Sequence, residues 1–210
     1  GAGGSIGSEL CHQLIKLSPK QIILIENNEP SLYKIDKELK KVSKNVSIVS
    51  LLLDCSNENK LKYVFENYDI SVFFHAAAYK HVSIVENNPL SGIQNNVFSS
   101  FYICKLASSF NINSVVLISS DKAVRPTNVM GATKRLSELI FQVFSKDYPN
   151  IKFSIVRFGN VLDSSGSVIP LFKEQISKGG PITITHPDVI RYFMTIEEAA
   201  LLVIQANLLS

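Results

Sequence analysis

The sequence predicts an α/β fold built on a doubly wound parallel sheet, and three observations carry the prediction. Short apolar runs rich in Val, Ile and Phe recur along the chain, and amphipathic stretches of helical period fill the gaps between them. A glycine-rich turn also opens directly into the first of those helices. Strand and helix in regular alternation imply right-handed crossovers, which keep the strands parallel and place helices on both faces. In such sheets ligands lie at the carboxyl ends of the strands, so chemistry is expected along that edge.

Taken in order, the chain starts at Gly1 inside what reads as the first strand-to-helix loop. The strand that normally precedes such a loop, at the centre of the sheet, is absent from the sequence, so the fold is expected to be truncated there. Residues 8–17 read as the first helix. Residues 21–25, 46–53, 72–74, 115–118 and 153–156 read as buried strands, each a short and nearly continuous apolar run. Residues 129–144 form the clearest helix, in which Leu136, Leu139, Ile140, Val143 and Phe144 recur at three- and four-residue spacing and would line one face. The pattern ends in the helical run Ile196–Leu209, which leaves little room for a complete substrate domain. Residues 1–210 are expected to form one domain, also truncated at its C-terminal side, with the start of a substrate-binding portion from about residue 160.

Composition narrows the function classes. With 46% hydrophobic and 19% charged residues and no repeat or low-complexity tract, the chain has the make-up of a globular protein. The net charge of +3 is spread along it, and the densest basic stretch, residues 37–44, is interrupted by Glu38 and reads as a solvated helix face, which argues against a nucleic-acid partner. Cys11, Cys55 and Cys104 lie far apart without C-x-x-C spacing, so reduced core thiols are expected, with neither a metal site nor a disulfide framework. That usage fits a cytoplasmic compartment. No run approaches the roughly 18 apolar residues that a membrane span needs.

The opening residues GAGGSIG carry glycines at positions 1, 4 and 7. The first permits a tight turn, the second lets backbone approach a pyrophosphate, and the third lets the helix pack close, with the helix N-terminus holding the phosphates. The run 21–25 ends in Glu26, about 20 residues beyond the loop, where a carboxylate can accept hydrogen bonds from the adenosine ribose and so favour NAD over NADP. Asp54, after the next strand, suits either the adenine edge or a helix cap. The loop in this context points to a Rossmann-like, NAD-binding fold.

Farther along, the strand at 115–118 leads into Ser119-Ser120-Asp121-Lys122, and Met130 and Lys134 stand four apart on the helix that follows, so they share a face. Here the chain resembles the extended short-chain dehydrogenase/reductases, whose Tyr-x-x-x-Lys pair sits on this helix, but it carries Met130 at the tyrosine position. It is closer still to the configuration-retaining nucleotide-sugar 4,6-dehydratases of polysaccharide and glycan assembly, the type with a large membrane-anchored N-terminal region. The segments GAGGSIGSEL (1–10), HAAAYKHV (75–82), SDKAVRPTNVMGATKR (120–135), RFGNV (157–161) and RYFMT (191–195) carry that resemblance.

The resemblance implies NAD-dependent dehydration of a UDP-N-acetylhexosamine, UDP-N-acetylglucosamine first, to a 4-keto-6-deoxy sugar. It implies Asp121 as acid and Lys122 as base, with Ser120 assisted by Lys134 accepting the proton of the C4 hydroxyl and Met130 marking the subgroup. A lysine can serve as base only where burial or a neighbouring cation such as Lys134 lowers its pKa. Ser5, Ile6, Ala76, Ala77 and Lys134 are expected to join Gly1, Gly4, Gly7, Glu26 and Asp54 around the cofactor. Lys80, His81, Asn160 and Arg191 are expected around the substrate, Arg191 facing the diphosphate because a guanidinium fork suits phosphate. Asn96 suits either a bond near the site or a helix turn, and His75 suits a packed or cofactor-side place better than a metal site. His12 and His186 receive no role. A homo-oligomer, and an anchor at the cytoplasmic face of the inner membrane lying outside this segment, are further implications. The alternatives are a C5-inverting dehydratase, a nucleotide-sugar 4-epimerase and a non-catalytic NAD-binding regulatory module.

Overall fold

The computed structural model describes residues 1–43, 45–164, 168–184, 186, 188 and 190–209. In chain order it contains α1 (Ser5–Lys16), β1 (Gln21–Glu26), α2 (Glu29–Val42), β2 (Ser47–Leu52), α3 (Glu58–Asn67), β3 (Val72–His75), α4 (Val82–Asn87) and α5 (Pro89–Gly92). A π-helical segment (Ile93–Phe98) runs into α6 (Ser99–Ser109), followed by β4 (Ser114–Ser120), a 3-10 turn (Asp121–Ala123), α7 (Val129–Asp147) and β5 (Lys152–Phe158). The chain continues through β6 (Asn160–Val161), α8 (Val168–Ser177), β7 (Phe193–Met194) and α9 (Ile196–Leu209). The α/β class and the Rossmann-like parallel arrangement are those the sequence predicts.

Every described strand pairing is parallel. β1 pairs with β2, β4 lies between β3 and β5, and β6 pairs with β7. β1 and β3 do not pair, and a cavity of about 730 Å³ lined by Ile23, Ile25, Phe73, His75, Leu10 and Ile204 lies between the two blocks.

β4 shows why its sequence is a continuous apolar run. Successive side chains of a strand point to opposite faces. Val115 and Leu117 enter a core shared with Leu61, Ile103 and Phe141, while Val116 and Ile118 enter another with Leu10, Ala200 and Val203. Both faces are therefore covered, and Val115, Val116 and Leu117 are fully buried. A third cluster of Leu24, Ile35 and Leu39 joins β1 to α2. The expected solvated face of residues 37–44 falls on α2, where Lys40 pairs with Asp36 at 2.8 Å, except for Lys44, which lies outside the described residues.

Element boundaries shift by one to a few residues from the sequence reading, three of them instructively, and one helix face differs in part. α1 begins at Ser5, because Ser8 N–H already bonds Gly4 O at 2.8 Å. β4 runs on through Ser119 and Ser120, whose backbone pairs with Arg157 and Phe158 of β5. β2 ends at Leu52, one residue short of the expected strand. On α7 the buried stripe is Met130, Thr133, Lys134, Ser137, Glu138 and Phe141, and the apolar residues Leu136, Leu139 and Val143 are exposed. Hydrogen-bonding partners on β4, β5 and the π-helical segment make the polar stripe buriable.

Cys11, Cys55 and Cys104 are buried free thiols, and burial pushes Cys11 up to about 12 and Cys55 to about 11. Among the described residues no cluster of three metal-ligating side chains occurs, and no helix is long and apolar enough to cross a membrane.

Candidate active site

The glycine loop packs between β1 and the segment after β3. The nitrogens of Gly1 and Ala2 donate to Ile25 O at 2.7 and 3.1 Å, and Gly4 N–H donates to Gly1 O at 3.3 Å. A side chain at Gly1 would meet Ala77 N at 2.6 Å, and one at Gly7 would meet Gly1 O at 1.9 Å, so both positions require glycine. A Cβ at Gly4 would touch only Gly1 O at 3.5 Å, so this residue presents bare backbone away from the fold. α1 starts at Ser5 and Ile6 with neither a side-chain cap nor an acidic residue in its first turn. The N-terminal partial positive charge of α1 faces the loop and favours an anion there. Tight packing beneath and open backbone above fit a dinucleotide pyrophosphate.

Glu26 closes the far side of this loop. It is buried, and Oε2 accepts from Gly3 N at 2.9 Å while Oε1 accepts from Asn27 N and Asn28 N at 3.0 and 3.1 Å. The carboxylate, read from sequence as a ribose acceptor, thus also ties the end of β1 to the glycine turn. Asp54 closes a turn, with Oδ1 accepting from Ser56 N at 2.8 Å.

The second half of the site gathers at the ends of β4 and β5. Asp121 Oδ1 accepts from Ser120 Oγ at 2.9 Å and from Lys122 Nζ at 3.1 Å. Partial burial works to raise the Asp121 carboxyl, but the bonds from Ser120 and Lys122 outweigh it and hold the group below the usual carboxylate range. Asn128 caps α7 by accepting from Gly131 N at 2.8 Å, and Gly131 lets the helix approach, since a Cβ there would meet Lys122 O at 2.3 Å. Met130, in the first turn, is buried.

Lys134 is also buried, and its Nζ donates to Ile118 O at 2.6 Å. Burial lowers it to about 8, against an opposing pull from Glu138. The sequence reading pairs Lys134 with Ser120; in the structure the Ser120 hydroxyl goes to Asp121 and the Lys134 ammonium to a backbone carbonyl.

Of the expected substrate residues, Lys80 and His81 follow β3 on the loop before α4, and surrounding protein lowers Lys80 by desolvation. No carboxylate pairs with either among the described residues. Asn160 on β6 pairs with Phe193 on β7, and its N–H donates to Tyr192 O at 3.1 Å; Arg191, exposed, is the residue before Tyr192 in the chain. A Cβ on Gly159 would lie 3.1 Å from Tyr192 O and 3.8 Å from Asp121 Oδ2, which places this segment beside Asp121.

Two buried networks complete the site, the first built on Asn96 and His75, which the sequence reading placed near it, and the second on Glu138, which it missed. Asn96 Oδ1 accepts from Tyr79 N, and its Nδ2 donates to Tyr79 O and Thr133 Oγ1. His75 packs beneath, its Nε2 at 3.2 Å from the hydroxyls of both Ser99 and Ser100, and burial first, then Lys134, hold it neutral well below its ordinary value. Glu138, fully buried, binds Ser119, Arg135 and Arg157. Its place four residues after Lys134, on the same helix face, was a signal available in the sequence.

Comparison with known proteins points the same way. The model of a family described as polysaccharide biosynthesis protein matches residues 1–210. The capsular polysaccharide biosynthesis protein CapD of Staphylococcus aureus is 47% identical over 211 residues, covering 100% of this chain and 35% of that protein. The chain therefore spans about a third of the length of that relative. Among solved structures, Pen from Bacillus thuringiensis superposes with a TM-score of 0.91 at 34% identity, over 100% of this chain and 64% of that one. The dTDP-glucose 4,6-dehydratase DesIV from Streptomyces venezuelae, solved with NAD bound, gives 0.81 at 19% identity, over 96% of this chain and 68% of that one. UDP-glucose 4-epimerases share the fold as well.

Proposed function

The chain belongs to the polysaccharide biosynthesis protein family, and on that premise we propose that it is the NAD-binding core of a nucleotide-sugar 4,6-dehydratase that retains configuration at C5. The proposed substrate is a UDP-N-acetylhexosamine, UDP-N-acetylglucosamine first. The observation that carries the reading is the contact of Asp121 Oδ1 with both Ser120 Oγ and Lys122 Nζ at the end of β4. Dehydration next to a carbonyl needs a proton donor and a proton acceptor close together, and this corner supplies both.

Gly1, Gly4, Ser5, Ile6 and Gly7 would hold the pyrophosphate of NAD, with Glu26 and Asp54 on the adenosine side, Ala76 and Ala77 over the loop, and Lys134 on the nicotinamide ribose. When bound, NAD supplies a hydride acceptor at sugar C4 that later serves as donor at C6. Lys80, His81, Asn160 and Arg191 would hold the sugar nucleotide, the cations on its phosphates.

The protons then balance within the triplet. Asp121 is held ionised by its two hydrogen bonds, so it can accept the C4 hydroxyl proton through Ser120 Oγ, and this step makes it a carboxylic acid. Lys122, entering as a free amine that donates an N–H to Asp121, takes the C5 proton made acidic by the neighbouring carbonyl. Asp121 returns its proton to the C6 hydroxyl, which leaves as water, and Lys122 finally gives its proton back to C5 from the face it took it. Both groups end as they began. Met130 offers no exchangeable proton, so the route does not run through the residue at that position.

The test supplies the full-length protein with NAD and UDP-N-acetylglucosamine in heavy water and follows the sugar by NMR. A 4-keto-6-deoxy product with deuterium at C5 and unchanged C5 configuration is expected. Inversion at C5 would make it an inverting dehydratase, a C4-inverted sugar an epimerase, and NAD binding without turnover a regulatory module.

A further inference from the structure

Glu138 has no exposed surface, yet four hydrogen bonds converge on its carboxylate. Ser119 Oγ donates to Oε1 at 2.6 Å, as does Arg157 Nε at 2.7 Å, while Arg135 donates to Oε2 at 2.9 Å and the second Arg157 nitrogen closes a fork on the same oxygen. Burial alone would raise this carboxyl, but the donors, Arg157 first, hold it below its ordinary range and therefore charged. A buried carboxylate is costly unless every lone pair is used, and a small cluster of apolar residues would fill the same space more cheaply.

What the cluster joins sets it apart from a general support. Ser119 immediately precedes Ser120, Asp121 and Lys122 on β4, Arg157 lies three residues before Asn160 on β5, and Glu138 itself stands one turn after Lys134 on α7. One carboxylate thus ties α7, which carries Lys134, to the ends of β4 and β5, which lead into the proposed proton-transfer and substrate groups.

We propose that Glu138 is a positioning residue, which through Ser119 and Arg157 fixes the end of β4 against α7 and β5 and so sets where Ser120, Asp121 and Lys122 meet the sugar. This rests on the dehydratase reading for its link to catalysis, but its structural part stands apart from it. Displacing a reacting group by about 1 Å can cost roughly a hundredfold in rate. The ionisable groups around Lys134 are Glu138 on its own helix and neutral His75 on β3, with the Asp121–Lys122 pair three residues beyond the carbonyl that Lys134 bonds. Glu138 supplies the favourable charge, so its loss also makes Lys134 release its proton more readily.

The experiment compares Glu138→Gln and Ser119→Ala with wild type in the full-length protein. Ser119→Ala leaves the two arginines on Glu138 and is the variant to rely on if the first does not fold. Both are expected to lower kcat about tenfold or more with KM for the sugar nucleotide little changed. Only Glu138→Gln should move the basic limb of the pH profile to lower pH, because only it removes the charge. In Ser119→Ala, backbone hydrogen exchange at residues 120–122 should accelerate, a readout that requires no turnover. Wild-type kcat in both variants, or a loss uniform across pH with unchanged exchange, would overturn the proposal. A wild type inactive on UDP-sugars while exchange accelerates in Ser119→Ala would sink the dehydratase reading alone.

Discussion

Asn96 holds the peptide unit of Tyr79 at both of its polar atoms: Oδ1 accepts the Tyr79 N–H at 2.7 Å and Nδ2 donates to its carbonyl at 3.0 Å. The same Nδ2 reaches Thr133 Oγ1 at 2.9 Å, beside Lys134 on α7. The loop that presents Lys80 and His81 is therefore hooked to the helix that presents Lys134. Asn96→Ala should free that loop and raise KM for the UDP-sugar several-fold, with a smaller effect on kcat, and steady-state kinetics would check it. Asn96→Asp keeps the acceptor for Tyr79 N–H but sets a second carboxylate oxygen against the Tyr79 carbonyl, so it should be at least as damaging as alanine.

The glycines of the first loop separate folding from cofactor binding. Gly7→Ala drives a methyl into Gly1 O, where it would sit 1.9 Å away, so the loop must move and the protein should lose both thermal stability and NAD. Gly4→Ala meets nothing closer than 3.5 Å and should fold normally. Its added methyl stands where the backbone would approach the pyrophosphate, so NAD affinity should drop about tenfold or more. Melting curves with and without NAD distinguish the two, and equal behaviour of both variants would contradict this division.

The exposed side of α7 bears on assembly. Leu136, Leu139 and Val143 lie on one side of α7, and Phe98 and Phe101, also exposed, lie on and beside the adjoining α6. An apolar face of this kind is commonly a contact surface. A second copy of the chain is the occupant we expect, and Leu139→Glu with Val143→Lys should lower the sedimentation mass to that of a monomer. If the double variant sediments as wild type does, this face is not the contact.

That face also marks how far the sequence could be read. The strands were legible because β4 and its neighbours are covered on both sides and so read as unbroken apolar runs, and the glycine loop was legible because backbone crowding at Gly1 and Gly7 admits no other residue. Periodicity finds the apolar side of a helix, and on α7 it found Ile140 and Phe144, which pack against the core, but it missed the polar side that buries Thr133, Lys134, Ser137 and Glu138. Thr133, Ser137 and Glu138 are polar by composition and buried by virtue of partners 19 to 41 residues away, namely Ser119, Asn96 and Arg157. No local pattern encodes those partners. The bond of Ser120 to Asp121, by contrast, joins adjacent residues, and its missing element was geometry: the hydroxyl could have turned to Lys134.

Lys134 carries a pH signature in stability. Burial depresses it from 10.5 to about 8, so the folded state binds its proton less tightly than the unfolded chain does. Between about pH 8 and 10.5 the unfolded state holds more protons, and unfolding free energy from this group rises with pH. Below about 8 the penalty is fully present, about 3 kcal/mol at most. Lys134→Met should therefore stabilise the fold at pH 7, less the lost bond to Ile118 O, and the advantage should shrink toward pH 10.5. Urea titrations at pH 7 and pH 10 would measure it; a gain independent of pH would show that the lysine is not depressed.

The division of labour between Asp121 and Lys122 gives the sharpest chemical test. If Lys122 takes the C5 proton, replacing it with methionine removes both exchange at C5 and loss of water, whatever Asp121 does. If Asp121 returns a proton to the departing C6 hydroxyl, Asp121→Asn blocks that departure, while Lys122, freed from its bond to the carboxylate, can still remove and restore the C5 proton once C4 is oxidised. Supplying the 4-keto sugar nucleotide directly bypasses the oxidation, which also needs Asp121 as the final acceptor of the C4 proton. With that substrate in heavy water, Asp121→Asn should wash deuterium into C5 at a rate within about tenfold of wild type yet release no water. Lys122→Met should do neither. Deuterium uptake by Lys122→Met with none by Asp121→Asn would exchange the two roles, since the residue whose loss stops exchange is the one that touches C5.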